Sequence, residues 1–308
     1  MQNKLSAFGM GIQTLSISQA TQIDLGPLAG LVGEWASPQD KPFGWNVIAV
    51  PGPKDTQGFT LEVIPYTETL TFTPIVVAGN RGPIIDGVQQ EQNIVGLMYN
   101  QTIHSLCETD LCKKMGFEKG REIHAETGMF LYMTNLSSKF SIARLSSIPH
   151  GNSLLALGNS QQLSQPGNNF FGPAPIAPRA VPGTFPLPNG YGEFQYQQSP
   201  QFPGIFDQSN PNTFLRETLG NANIVNMTTL LLSTDNKDGG ILNVPFITNH
   251  VNATKLKSTF WIQQIDDGKG GTVQQLQYSQ TIDLVFPATG HPQPIIWPHV
   301  TINTLLKK

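Results

Sequence analysis

The sequence predicts an all-β protein, an antiparallel barrel or sandwich of about ten strands with one short helix near its N-terminus. Three observations carry this. Runs in which apolar and polar residues alternate recur along most of the chain. Gly, Pro, Asn and Asp separate those runs. Nowhere do helix and strand patterns alternate as a parallel sheet requires. Closing the sheet removes the unpaired edges that long strands otherwise expose, so a barrel is the expected form. At about ten strands it is wide enough to hold a small ligand rather than side chains alone.

Residues 1–22 read as a polar lead-in, without the apolar stretch of a good signal peptide. Residues 23–308 read as one domain. Its first element is "DLGPLAGLVGEWAS", where Leu28, Leu31, Val32 and Trp35 recur at helical spacing. Pro27 suits a first helical turn, and a helix of two or three turns would cap one end of the barrel. Strands are expected at Trp45 to Val50, Phe59 to Tyr66, Thr67 to Thr73, Ile94 to Ile103 and Glu122 to Met133. Further strands are expected at Phe140 to Ser147, Ser153 to Leu157, Thr228 to Ser233, Ala253 to Ile265, Thr272 to Phe286 and Val300 to Leu306. The clearest alternation is "VQQLQYSQTIDLVF". Leu276, Tyr278, Ile282, Leu284 and Phe286 share one face, and Gln275, Gln277, Ser279, Thr281 and Asp283 the other, the pattern of a half-buried strand. "DDGKGG" before it is a hairpin connection.

Residues 161–211 break the rhythm. Roughly a third of them are Pro or Gly, far above the globular average. They also carry Phe170, Phe171, Phe185, Tyr191, Phe194, Tyr196, Phe202 and Phe206, and disordered segments are poor in aromatics. An ordered irregular insertion is expected, folded as a lid over an open end or flank of the barrel.

Composition narrows the function. Charged residues make up 13% of the chain and the net charge is −3. Basic residues cluster no further than Lys113-Lys114 and Lys307-Lys308, which excludes nucleic acid as a main partner. No apolar run reaches the ~18–20 residues of a membrane span. The expected partner is a small apolar or amphipathic molecule, and the expected location is cytoplasmic. The oligomeric state is not legible. Cys107 and Cys112 can bridge if the chain turns between them, or stay as free thiols; with His104 and His124 they match no usual zinc spacing. The Asn-X-Ser/Thr matches at Asn100, Asn135, Asn226 and Asn252 matter only in a secreted chain. No nucleophile elbow, phosphate loop, zinc-protease helix or dinucleotide fingerprint occurs.

Three positions stand out chemically. His299 begins the alternating run "PHVTINTL", in which Val300, Ile302 and Thr304 face one way and Thr301, Asn303 and Leu305 the other. A histidine held there can be a core residue, a catalytic group or a ligand. In "EIHAETGMF", His124, Glu126 and Gly128 share a face. His124 and Glu126 are either a general acid/base pair or a buried pair that fixes the register. Arg144, in mid-strand, can pair with Glu126 or meet a ligand carboxylate. His150 lies in a turn and is expected to be solvated, and Trp35, Trp45, Trp261 and Trp297 are expected to fill the core and its ends.

The ordered series "LGPLAGLVGEW", "YTETLTFTP", "GLMYNQTI", "REIHAETGMFLYM" and "ARLSSIPHGNSLLALG" resembles the nitrobindin-like, fatty-acid-binding-protein-like haem barrels, a calycin-like group. "GGILNVPFITNHVNATKLKSTFWIQQI" is similar to the penultimate strands of larger bacterial haem-binding members. The resemblance covers most of the chain outside residues 1–22 and 161–211. It implies haem b as cofactor, with iron held by a histidine near the C-terminus; the matching residue is His299, followed by Val300 where the family has Leu. Two enzymatic alternatives stand beside ligand binding: haem-dependent chemistry on peroxides or nitrogen oxides, and metal-free isomerisation of an apolar substrate through His124 and Glu126.

Overall fold

The computed structural model describes residues 13–14, 24–38, 43–51, 59–76, 80–92, 94–133, 139–187, 210–286 and 293–308. The strands in chain order are β1 (Gln13–Thr14), β2 (Gly33–Ala36), β3 (Gly44–Pro51), β4 (Phe59–Val76), β5 (Asn80–Ile85), β6 (Val88–Gln92), β7 (Ile94–Ser105) and β8 (Glu122–Met133). They continue with β9 (Ile142–Ile148), β10 (Asn152–Ser164), β11 (Arg179–Ala180), β12 (Ile224–Ser233), β13 (Gly240–Asn243), β14 (Asn252–Asp266), β15 (Thr272–Phe286) and β16 (Ile295–Lys307).

The sheet closes. Its order runs β4, β2, β16, β15, β14, β12, β10, β9, β8, β7, and β7 pairs back onto β4, which makes ten positions round the ring. β2 and β3 share the second position, each bridging β4 and β16. β13 takes over from β12 along the first residues of β10. All these pairings are antiparallel, so the all-β barrel is the architecture. β5 and β6 form a separate hairpin, turned by Asp86 and Gly87 with φ of 51° and 77°.

The expected N-terminal helix is shorter than its apolar spacing implies. It is a 3-10 helix over Gly26–Leu31, with Pro27 in its first turn, and Trp35 already belongs to β2. Leu25, Leu28, Leu31 and Trp35 close this end over Leu70, Phe72, Leu97, Phe130, Ile142, Leu230, Ile262, Leu276 and Leu305. The expected split at Thr67 is absent: β4 is one strand of 18 residues.

Period-two alternation fixes what faces inward. On β16, Asn303 and Leu305 pair with Tyr278 and Leu276 inside the barrel, while Val300 and Ile302 face out. The outer face is not bare. Phe171, Ala174 and Ile176 pack there with Leu215 and Leu219 of the helix Asn212–Leu219, over Trp45, Val47, Trp261, Val300 and Ile302. The polar face of β15 is therefore covered rather than solvated. Gln263, Gln275 and Gln277 are buried in a hydrogen-bonded chain that ends on the Leu215 carbonyl and Thr304.

The described part of the Pro/Gly-rich segment thus lies on the flank of the barrel. β11 within it pairs with Ile295 and Ile296 of β16, and Leu187 packs by Phe286, Ile295 and Trp297. Phe185 is 79% exposed. Tyr191, Phe194, Tyr196, Phe202 and Phe206 lie outside the described residues. Of the tryptophans, Trp35 fills the interior, Trp45 and Trp261 the covered outer face, and Trp297 the small Phe286 cluster.

Candidate functional site

One end of the barrel is the apolar helix end. The opposite end gathers the titratable side chains. Along β8 the inward residues run from Phe130 through Gly128 and Glu126 to His124, and along β16 from Leu305 through Asn303 and Thr301 to His299. Both histidines face inward in the half of the barrel away from the 3-10 helix, and on β16 Trp297 and Ile295, buried with Phe286, continue the same face beyond His299. His150, exposed in the β9–β10 turn, lies against His124 with ring centroids 5.4 Å apart.

His299 points inward and its Nε2 meets Asn46 Oδ1 at 2.5 Å. Thr301 Oγ1 donates to the same oxygen at 3.2 Å, so Nε2 carries the proton and Nδ1 holds the lone pair. Burial, reinforced by the charges of His124 and His150, pushes the imidazole down to about 3, and it is neutral at physiological pH.

The two residues that the sequence pairs by spacing do meet, with a third. His124 Nε2 is 3.4 Å from Glu126 Oε2, and Arg144 Nη2 donates to Glu126 Oε1 at 2.7 Å. Tyr99 Oη also donates to Glu126 Oε1 and contacts Ser146 Oγ at 2.5 Å. Burial alone would raise the Glu126 carboxyl; the Arg144 guanidinium and the bonds from His124 and Tyr99 outweigh it and hold the group well below the usual carboxylate range. Arg144 spends its other donors on Tyr99 Oη at 3.1 Å and Gln280 Oε1 at 2.6 Å. It is committed to interior partners, which leaves a ligand carboxylate as the less fitting of its two readings.

A second polar group sits across the interior. Glu68 accepts from Gln101, Tyr278 and Asn303, each at 2.7 Å, and Tyr66 Oη lies 2.9 Å from Tyr278 Oη. Between the two networks a cavity of about 10 Å³ is lined by Leu70, Phe72, Tyr99, Gln101, Phe130, Arg144, Phe260, Tyr278 and Gln280. That is room for about one water, against the ~300–1,000 Å³ of ordinary ligand pockets.

Glu62 differs from both interior carboxylates. It is 2% exposed, and among the described residues neither of its oxygens has a hydrogen-bond partner. Burial pushes its carboxyl up to about 7. The sequence reading passed over Glu62, Glu68, Tyr66, Tyr99 and Asn46. A signal was present in "LEVIPYTETLTF", where Glu62, Tyr66, Glu68 and Phe72 alternate onto the face that also carries Ile64 and Leu70.

Haem, the group that the sequence resemblance implies, finds suitable donor chemistry in His299: a neutral inward imidazole with one nitrogen oriented and the other unbonded. The 10 Å³ interior cavity cannot take a macrocycle. Among the described residues no group of three or more His, Cys, Asp or Glu side chains forms a bare-metal site. Cys107 and Cys112 are joined in a disulfide beside this end, across the helix Asp110–Met115 that Thr109 caps. Such bridges persist in oxidising compartments, which weighs against the cytoplasmic expectation.

Fold and site together define a closed ten-position β-barrel with an apolar, helix-capped end and a polar end that carries histidines. No family model and no curated protein matches the sequence. Among solved structures, the chain is similar to the one titled "Crystal Structure of Rv2717c from M. tuberculosis", at 15% identity and a TM-score of 0.40 over 91% of this chain and 94% of that one. A likeness of that size carries no functional argument.

Proposed function

We propose that this chain is a ligand-binding β-barrel whose histidine end takes haem b, with His299 as the iron ligand. The observation behind the reading is the state of His299. It is neutral, it faces inward, its Nε2 is held by Asn46, and among the described residues its Nδ1 makes no hydrogen bond. Metal-bound imidazoles share this division of labour, in which one nitrogen donates to an orienting group and the other gives its lone pair. A haem held there supplies an iron centre for binding or turning over small oxidants such as peroxides or nitrogen oxides. Asn46 orients the imidazole, and Thr301 holds the same Asn46 oxygen.

Acid/base isomerisation through His124 and Glu126 is the weaker reading. Glu126 already accepts from Arg144 and Tyr99, and a carboxylate held that low is a poor base. The test is a haemin titration followed by absorption. A saturable Soret band that His299→Ala weakens at least tenfold in affinity, and that His250→Ala leaves alone, supports the proposal. No saturable band, or a band indifferent to His299→Ala, overturns it.

A further inference from the structure

Glu62 faces the barrel interior at the histidine end. On β4 it alternates with Ile64, Tyr66 and Glu68, and across the ladder it pairs with Ile48 of β3. Ile48 lies one residue beyond the Val47–Val300 pair, so His299, Ile48 and Glu62 form one inward row across three strands. His299 and Glu62 are then two strand spacings apart, roughly 9–10 Å.

The three interior glutamates make the comparison. Glu68 has three hydrogen-bond donors. Glu126 has two donors and a histidine contact. Glu62 is 2% exposed, yet among the described residues both its oxygens lack a hydrogen-bond partner. A buried carboxyl group without a partner is costly, and native interiors seldom keep one. No Lys, Arg or His forms an ion pair with it among the described residues. Beside it an apolar cluster of Ile48, Ile64, Phe117 and Ile123 packs on the Cys107–Cys112 disulfide.

We infer that Glu62 anchors a binding site for a small organic cation, an ammonium or similar N–H donor, whose apolar portion lies against the Ile48–Ile64 cluster. A charge-assisted bond to an ammonium satisfies the carboxylate where water is excluded. The inference does not rest on haem. Haemin tests His299, whereas an ammonium probe tests Glu62.

The experiment uses n-butylammonium as the probe and n-butanol as its uncharged match, on the full chain at constant ionic strength. The Glu62 side-chain carboxyl is followed by carbon NMR, assigned by its loss in Glu62→Gln. Butylammonium should bind saturably, at least tenfold more tightly than butanol, and should lower the pH midpoint of the Glu62 signal. Glu62→Gln should weaken butylammonium at least tenfold and leave butanol unchanged. Equal binding of the two probes, an unmoved Glu62 midpoint in the wild type, or undiminished binding to Glu62→Gln would each overturn the inference. The wild-type titration decides even if the variant does not fold.

Discussion

Replacing Arg144 with Met tests the network that ties β7, β8, β9 and β15 together inside the barrel. The Arg144 side chain is 3% exposed and donates to Glu126, Tyr99 and Gln280 at 2.7, 3.1 and 2.6 Å. Its guanidinium carbon lies 5.5–5.7 Å from the ring centroids of Tyr99, Phe130 and Phe260. Arg144→Met keeps much of the apolar contact and strands the Glu126 carboxylate. Breaking one side of a buried pair costs about 3–5 kcal/mol, and lost cation–π contact adds to that. Such a loss is a large part of the ~5–15 kcal/mol that stabilises a typical domain. The pH dependence has a definite sign. In the wild type the folded Glu126 carboxyl lies below its unfolded value, so its contribution is full above the unfolded pKa and is lost only as pH falls through the folded one. In the variant burial is left to act without Arg144 and raises the group, so acidification protonates Glu126 and shrinks the deficit. Urea unfolding followed by tryptophan fluorescence, at about pH 7.5 and about pH 5.5, measures this. The double variant Arg144→Met/Glu126→Gln should recover at least half of the loss. A deficit under about 1 kcal/mol at the higher pH, or one that grows at the lower, would refute the reasoning.

Other expectations follow from the same geometry. The folded Glu62 carboxyl stands at about 7, above its unfolded value, so its cost is absent below the unfolded pKa and develops as pH rises through the folded one. Glu62→Gln should therefore be more stable than wild type by about 2 kcal/mol near pH 8 and no more stable near pH 4, read from paired urea titrations. His299 is the reverse case: its folded value is depressed to about 3, so acid from about pH 6.5 downward favours the unfolded chain, and His299→Gln should flatten the loss of thermal midpoint over that range. A Cβ on Gly158 would meet the Leu231 carbonyl of β12, and Gly158→Ala should cost about 1–3 kcal/mol in thermal or urea unfolding. Reducing the Cys107–Cys112 bridge opens a short loop and should cost about 2 kcal/mol, measured as a urea midpoint with and without reductant.

Much of the fold is legible in period two. Glu122–Met133 and Thr272–Phe286 are strands with the limits the alternation gives, and His124, Glu126 and Gly128 share the inward face that spacing assigns them. Other limits fall short for a physical reason. Ser153 to Leu157 alternates cleanly, but β10 runs on to Ser164 because β12 pairs with its polar half. The 3-10 helix stops at Leu31 because β2 must start at Gly33 to reach both β4 and β16. The Asp86-Gly87 hairpin carried a two-residue turn signal between apolar residues and was open to reading. The site is legible only in part. Local spacing brings His124 to Glu126. What binds Asn46 to His299, or leaves Glu62 without a partner, depends on closure of the ring across more than two hundred residues of sequence.

The central claim is that the histidine end of the barrel holds haem through His299, and a crystal structure of the protein grown with haemin tests it most directly. The expected result is iron coordinated by a ring nitrogen of His299, with Asn46 still bonded to the other nitrogen. Haem bound through a different residue, or crystals in which haemin is absent and His299 keeps its present contacts, would contradict the account.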